Sequence, residues 1–213
     1  APYFSWDAND FALMSTLRLS DSSSLKGRLA AALSRHDGMT SESYAQAILR
    51  WAGDLDSASG YARAGRRLED LAKFDLAIDM LERSVELDPL RPKTSYRLGR
   101  CLEQVGRADE ALDAYLDELE HHGYDRALYR AGEALIAQGR TSEVDRLLRQ
   151  ASPGQLRESP RLHFLRGSVA REAGRGAEAL TEFRIALDLD HSYAPARVAM
   201  TELLASPLAV IPE

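Results

Sequence analysis

The chain has 213 residues, of which 45% are hydrophobic and 28% charged, with 14 Gly and 8 Pro, the balance of a folded, helix-rich protein rather than a disordered one. A formal net charge of −6 argues against a nucleic-acid or anionic-membrane binder, since both need a net basic footprint; local basic surfaces stay open. No apolar run approaches the ~20 residues of a membrane span, and the opening Ala-Pro-Tyr-Phe-Ser-Trp-Asp is not a signal peptide.

In chain order, residues 1–6 read as a loose end, and Ala1 in place of Met suggests a processed chain or an excised segment. Residues 7–19 predict a helix. The stretches 24–36 and 41–54 predict a degenerate helix pair with Gly38 at the turn and Ala45, Leu49 and Ala52 on the packing face. From residue 58 the chain repeats itself. Gly65, Gly99, Gly132 and Gly167 recur at spacings of 34, 33 and 35. Gly106, Gly139 and Gly174 follow their partner glycines by seven residues, and Ala72 takes that place in the first unit. After each comes a segment with apolar residues three or four apart: Phe74–Leu87, 108–120, 142–151 and 177–189. Ala194–Ala205 predicts a capping helix with a polar outer side, and residues 206–213 a loose tail. The expected organisation is therefore 1–57 with N-terminal helices, four units at 58–91, 92–124, 125–158 and 159–193, a cap at 194–205 and a tail.

These residues resemble the tetratricopeptide repeat, a helix-turn-helix unit of ~34 residues with the pattern W-x2-L-G-x2-Y…A-x3-F…P. The second unit carries Leu98-Gly99, Leu102, Gly106, Ala111 and Tyr115 at the matching places, and the first Tyr61, Gly65, Leu68, Ala77, Leu81 and Pro89. The fourth offers Gly167, Gly174, Ala179, Phe183 and Ala186. The third departs from the pattern, with Val144 where a small alanine belongs beside Gly132, Leu135, Gly139, Leu148 and Ala151. The resemblance implies an all-α fold, a right-handed superhelical solenoid of antiparallel helix pairs, with the first helix of each pair lining a concave groove. A helix pair of this size cannot bury its apolar face alone, so neighbouring pairs stack into one core.

Equivalent positions on the first helices define what such a groove displays. One column is Ser59, Lys93, Arg126 and Arg161, and three residues on stand Ala62, Tyr96, Tyr129 and Phe164. Next come Arg63, Arg97, Arg130 and Leu165, then Arg66, Arg100, Glu133 and Ser168. The second helices carry Asp75, Asp79, Glu82, Glu86, Asp109, Glu110, Asp113, Asp117 and Glu118, expected on the convex side. The candidate binding residues are Lys93, Tyr96, Arg97, Arg100, Arg126, Tyr129, Arg130, Arg161 and Phe164, a basic and aromatic set suited to an acidic peptide or partner domain. The competing reading packs the rings into the seam between helices and pairs the arginines with acids such as Glu103 or Glu133. Asn9 is the sole asparagine. The asparagine-containing carboxylate clamp and the asparagine ladder known in this family have no counterpart here.

No phosphate loop, Cys-x-x-Cys pair, His-Glu-x-x-His helix or dinucleotide fingerprint is present, so the sequence points to no catalytic residue, metal or cofactor. His121-His122 point about 100° apart on a helix and read as a basic C-terminal pair. Asp188, Asp190 and His191 read as a turn, and Cys101 as a residue packed between helices. The lone cysteine does not decide the compartment, with a cytoplasmic one favoured over a periplasmic one. Aromatics beside arginines would permit stacking of single-stranded nucleic acid, but the acidic total opposes it. The expected function is a bacterial-type adaptor or scaffold rather than an enzyme. Two alternatives are a helical-repeat arm of a larger enzyme, such as a glycosyl- or sulfotransferase, and a self-assembling scaffold.

Overall fold

The computed structural model describes residues 41–205, so the helices expected over 7–19 and 24–36 and the end segments 1–6 and 206–213 lie outside the described residues. The described chain is all-α: α1 (Ser41–Leu55), α2 (Ala58–Asp70), α3 (Phe74–Leu87), α4 (Thr94–Gln104), α5 (Ala108–His122), α6 (Asp125–Ala137), α7 (Thr141–Gln150), α8 (Pro153–Glu158), α9 (Pro160–Glu172), α10 (Gly176–Leu189) and α11 (Ala194–Ala205). They fall into two compact units that divide between Pro89 and Leu90.

In the first unit α2 packs against both α1 and α3. In the second, α4 pairs with α5, α6 with α7 and α9 with α10, while α5 also contacts α6, α6 contacts α9, and α11 covers α10. The repeat glycines explain how the pairs close. A Cβ added to Gly99 would lie 2.6 Å from Cε1 of Tyr115, a ring that is completely buried. Glycine lets α4 and α5 approach until the ring lies on the α4 backbone, and burying a ring of that size contributes roughly 1.5–3 kcal/mol. Gly65 against Leu81 and Gly167 against Phe183 repeat the arrangement, the large residue standing sixteen positions after its glycine. The third unit differs: Gly132 faces Leu165 of α9, the first helix of the next pair. Val144 is nonetheless fully buried, as the alanines at its place in the other pairs are.

One turn chemistry ends all four first helices. The N–H groups of Lys73, Arg107, Arg140 and Arg175 donate to the carbonyls of Leu68, Leu102, Leu135 and Ala170 at 2.8–2.9 Å. Such a bond closes over a residue in left-handed conformation. Gly106 (φ 81°), Gly139 (φ 73°) and Gly174 (φ 74°) supply it in three units, and in the first Ala72 does so at φ 56°. The residue after each glycine is an arginine that reaches three positions on: Arg107 to Glu110 at 2.7 Å, Arg140 to Glu143 at 2.6 Å and Arg175 to Glu178 at 2.7 Å. Exposed pairs of this kind add little each. Lys73 has Leu76 at that spacing and instead reaches Glu42 of α1 at 2.8 Å.

The cap departs from expectation. The outer surface of α11 carries Val198 and Leu204, 55% and 59% exposed, so it is less polar than the sequence suggests. Its inner side, through Ala196 and Ala199, closes a cluster with Ala170, Ala179, Phe183 and Ala186.

Two substitutions of opposite sign test the packing and turn logic in urea unfolding. Ala72→Gly relieves a left-handed alanine and is expected to stabilise the chain by about 1 kcal/mol. Gly99→Ala forces a methyl into the Tyr115 ring and is expected to cost about 1–3 kcal/mol.

Candidate partner-binding surface

The sequence-predicted residues all belong to the second unit: Lys93 stands just before α4, Tyr96, Arg97 and Arg100 lie on α4, Arg126, Tyr129 and Arg130 on α6, and Arg161 and Phe164 on α9. Lys93, Arg100 and Arg126 are exposed; Arg97, Arg130 and Arg161 are half-buried. The three rings are half-buried too, and they divide into two clusters. Tyr96 packs edge-on against Tyr124, with centroids 5.0 Å apart, and lies 5.8 Å from Tyr115. Tyr129 contacts Phe164 at 6.3 Å, and Phe164 in turn contacts Phe183 at 5.6 Å and Tyr193 at 5.8 Å. The rings therefore bridge helices on one side while keeping part of each surface in solvent.

The cations are not equivalent. Lys93 Nζ stands 5.5 Å from the centroid of the Tyr124 ring, where a cation meets the negative face of the π system. Arg130 lies 3.5 Å from Glu133 on its own helix and 3.9 Å from Glu103 on α4. Burial opposes its charge, but Glu103 and Glu133 beside it hold the guanidinium pKa above its ordinary value. Glu133 has the reverse balance: burial raises its pKa, and the hydroxyl of Tyr129, donating at 2.6 Å, and the charge of Arg130 offset that in part. Tyr129 is raised, chiefly by burial and then by that same hydrogen bond, so it stays a neutral donor. Burial likewise raises Tyr115, with the Glu103 charge adding to it.

The structure corrects one expectation about the acids. Most on the second helices face solvent, but Glu118 is only 1% exposed. Its Oε1 accepts the N–H of Lys93 at 2.8 Å and its Oε2 the N–H of Tyr96 at 3.3 Å. A carboxylate from the last turns of α5 thus satisfies donors at the start of α4 that no helical carbonyl can reach. Asp117 beside it accepts from the Ser95 hydroxyl at 2.5 Å. In the fourth pair His163 of α9 and Glu182 of α10, both buried, meet at 2.7 Å, and Arg166 stands 3.3 Å from the same carboxylate. The one sequence cue to Glu118 is its place in the repeat, where the other units hold Ser84, Ala151 and Ala186. Charge alone gives no cue.

Cys101 is buried. His121 and His122 close α5, with His121 Nδ1 2.9 Å from the Asp117 carbonyl, and Asp190 accepts from the Ser192 N–H in the turn before α11. Among the described residues, no group of three or more His, Cys, Asp or Glu is placed to hold a metal ion, and no helix is long and apolar enough to cross a membrane.

Removing the Glu118 carboxylate leaves two partly buried N–H groups at the start of α4 without their acceptor. Glu118→Ala is expected to lower unfolding stability by about 3 kcal/mol, and Glu118→Gln, which keeps one oxygen acceptor, by about half as much, both read by urea denaturation.

The tetratricopeptide repeat sequence profile matches residues 62–125 and 142–194, more than half of the chain. No curated protein sequence matches. Among solved structures, the chain is similar to MamA 41-end from Desulfovibrio magneticus RS-1 at 18% identity and a TM-score of 0.59, covering 70% of this chain and 84% of that one. YrrB, a TPR protein with an unusual peptide-binding site, aligns at 19% identity and a TM-score of 0.60 over 76% of this chain and 84% of its own. A thermophilic TPR protein of Thermus thermophilus, TTC0263, aligns at 17% identity and a TM-score of 0.56 over 90% of this chain and 98% of its own. At these identities the likeness concerns the fold, an α-helical-pair solenoid. Together with the repeat glycines, their close contacts and the shared turn chemistry, the profile match shows that the chain belongs to the tetratricopeptide repeat family.

Proposed function

We propose that the chain is a protein-interaction scaffold, not an enzyme, and that it captures an acidic peptide or partner segment along the first helices of its second unit. The observation that carries this reading is the interleaving along α4, α6 and α9 of half-buried rings with exposed and half-buried cations. Tyr96, Tyr129 and Phe164 offer partly exposed aromatic surface to apolar side chains, while Lys93, Arg97, Arg100, Arg126, Arg130 and Arg161 offer charge-assisted donors to carboxylates. Acids exposed on α5, among them Asp109, Glu110 and Asp113, separate the charges, so a net charge of −6 is compatible with a basic binding face. The fold likeness to YrrB, which carries a peptide-binding site, agrees with peptide capture.

The cations differ in what they offer. Lys93 and Arg126 are exposed, whereas Arg130 is shared with Glu103 and Glu133 and must exchange those partners for a ligand carboxylate. Lys93 and Arg126 therefore lead the recognition.

Peptide display selected on the chain is expected to enrich Asp and Glu interleaved with apolar residues. Selected peptides should bind a Lys93→Gln/Arg126→Gln variant at least about tenfold more weakly, a loss of about 1.4 kcal/mol, at unchanged melting temperature. Enrichment without acidic bias, or unchanged affinity in the variant, would overturn the reading.

A further inference from the structure

Arg130 stands between acids of two neighbouring first helices, and the two oxygens of one of them have different partners. Glu133 Oε1 accepts the Tyr129 hydroxyl at 2.6 Å, while its Oε2 faces Arg130 Nη1 at 3.5 Å. Glu103 Oε2 of α4 faces the same nitrogen at 3.9 Å. The side chain of Arg130 is 42% exposed and those of Glu133 and Glu103 38% and 30%, so a ligand reaches all three.

One guanidinium against two carboxylates leaves the cluster net negative. The other titratable groups about Glu133 are hydroxyls: Tyr129 on its own helix, Tyr115 of α5 beside Arg130, and Tyr193 in the α10–α11 connection. The charge of Arg161 on α9 acts at Tyr193 but not at Glu133, and among the described residues α7 contributes no charge there. A ligand carboxylate seated on Arg130 would be the third about a single cation. Like charges at this range disfavour ionisation, and the acid that yields first is the one whose pKa burial already raises, Glu133.

We infer that capture of an acidic residue at Arg130 is coupled to uptake of a proton by Glu133 at Oε2, so that Glu133 gates this cation and mildly acidic conditions open it. The inference rests on the acidic-peptide reading of the same surface and adds its regulation. The proton comes from solvent. Oε1 keeps the Tyr129 hydrogen bond, Oε2 loses its charge, and the Arg130 donor it held turns to the ligand. The sign follows from the two kinds of acid. Ionised Glu133 occupies Arg130 at neutral pH; as the pH falls through its raised pKa that charge is lost, while an exposed ligand Asp, with its ordinary value of about 3.9, is still ionised. Capture therefore tightens below neutral pH and weakens again once the ligand acids themselves titrate.

The test is calorimetric titration of the unaltered chain with a blocked synthetic peptide alternating Asp with Phe and Leu, in two buffers of different protonation enthalpy. The expected result is net proton uptake on binding near about pH 6, with affinity rising as the pH is lowered from about 7.5 to about 5.5. In Glu133→Gln the amide keeps an oxygen for Tyr129 and presents no charge to Arg130. That variant is expected to bind the peptide at least about threefold more tightly at about pH 7.5, without proton uptake or pH dependence over this range. Binding without uptake, uptake that persists in Glu133→Gln, or no tighter binding by the variant would overturn the inference and leave the acidic-peptide reading standing. No binding, or equal binding of the peptide with Asn in place of Asp, would overturn both. The buffer comparison needs only the unaltered chain and decides the matter even if the variant fails to fold.

Discussion

The close approach of each first helix to the second helix of its pair is the constraint on which the other features rest. At Gly65, Gly99 and Gly167 no side chain larger than hydrogen fits, because Leu81, Tyr115 and Phe183 already occupy that space. The buried residue is the larger contributor, and the glycine makes room for it at the cost of roughly 1 kcal/mol of helix propensity. Once the pair has closed at this distance, the polar groups at its far end must also find partners. Ser84 donates to the Ala58 carbonyl at 2.8 Å in the first unit, and Glu118 takes the Lys93 and Tyr96 N–H groups in the second. Both stand nineteen residues after the repeat glycine and both tie the second helix to the start of the first, Ser84 by donating to a carbonyl and Glu118 by accepting from N–H groups.

Much of the fold is legible in the sequence because it depends on period. Recurrence of glycine at 33–35 residues fixes where helices pair and turn, and the chain obeys it from Ala58 to Leu189. Period says less about which neighbour a side chain reaches. Gly132 faces Leu165 of the following pair rather than its own second helix, and α8 interrupts the third connection without disturbing the glycine spacing by more than one or two residues. The same limit applies to the candidate surface. Its columns are readable, but the partners of the rings, Tyr124 and Tyr193, lie in connections between helices, where no helical spacing applies. Glu118 reads as a solvated acid because it stands among Asp113, Asp117 and Glu120, and composition cannot separate one buried carboxylate from its less buried neighbours.

Packing of the first-helix rings in the seam does not use up their surface. Tyr96, Tyr129 and Phe164 pack in the seam between helices and still show part of their surface. A ring held on one edge by Tyr124 or Phe183 has little freedom left to lose, so under the proposed function the packing that contributes to stability would also lower the entropic cost of covering its other side with a ligand. Arg130 illustrates the opposite trade. Its ion pairs with Glu103 and Glu133 fix its position but also occupy the donors that a ligand would use.

Lys93 shows how the acidic second helices bear on the basic first helices. Its backbone is left-handed, φ 66°, a conformation that costs a residue with a side chain about 1–2 kcal/mol. The bond from its N–H to the buried Glu118 carboxylate is of the charge-assisted kind that contributes about 1.5–3 kcal/mol, enough to hold that backbone in place. The Lys93 side chain then leaves the start of α4 in a direction set by the strained backbone and extends to the face of Tyr124. A carboxylate from a second helix therefore orients an exposed cation on the first. Charge segregation between the two kinds of helix is in this respect a structural device as well as an electrostatic one: the acids that offset the cations in the net charge include the one that holds the Lys93 backbone in place.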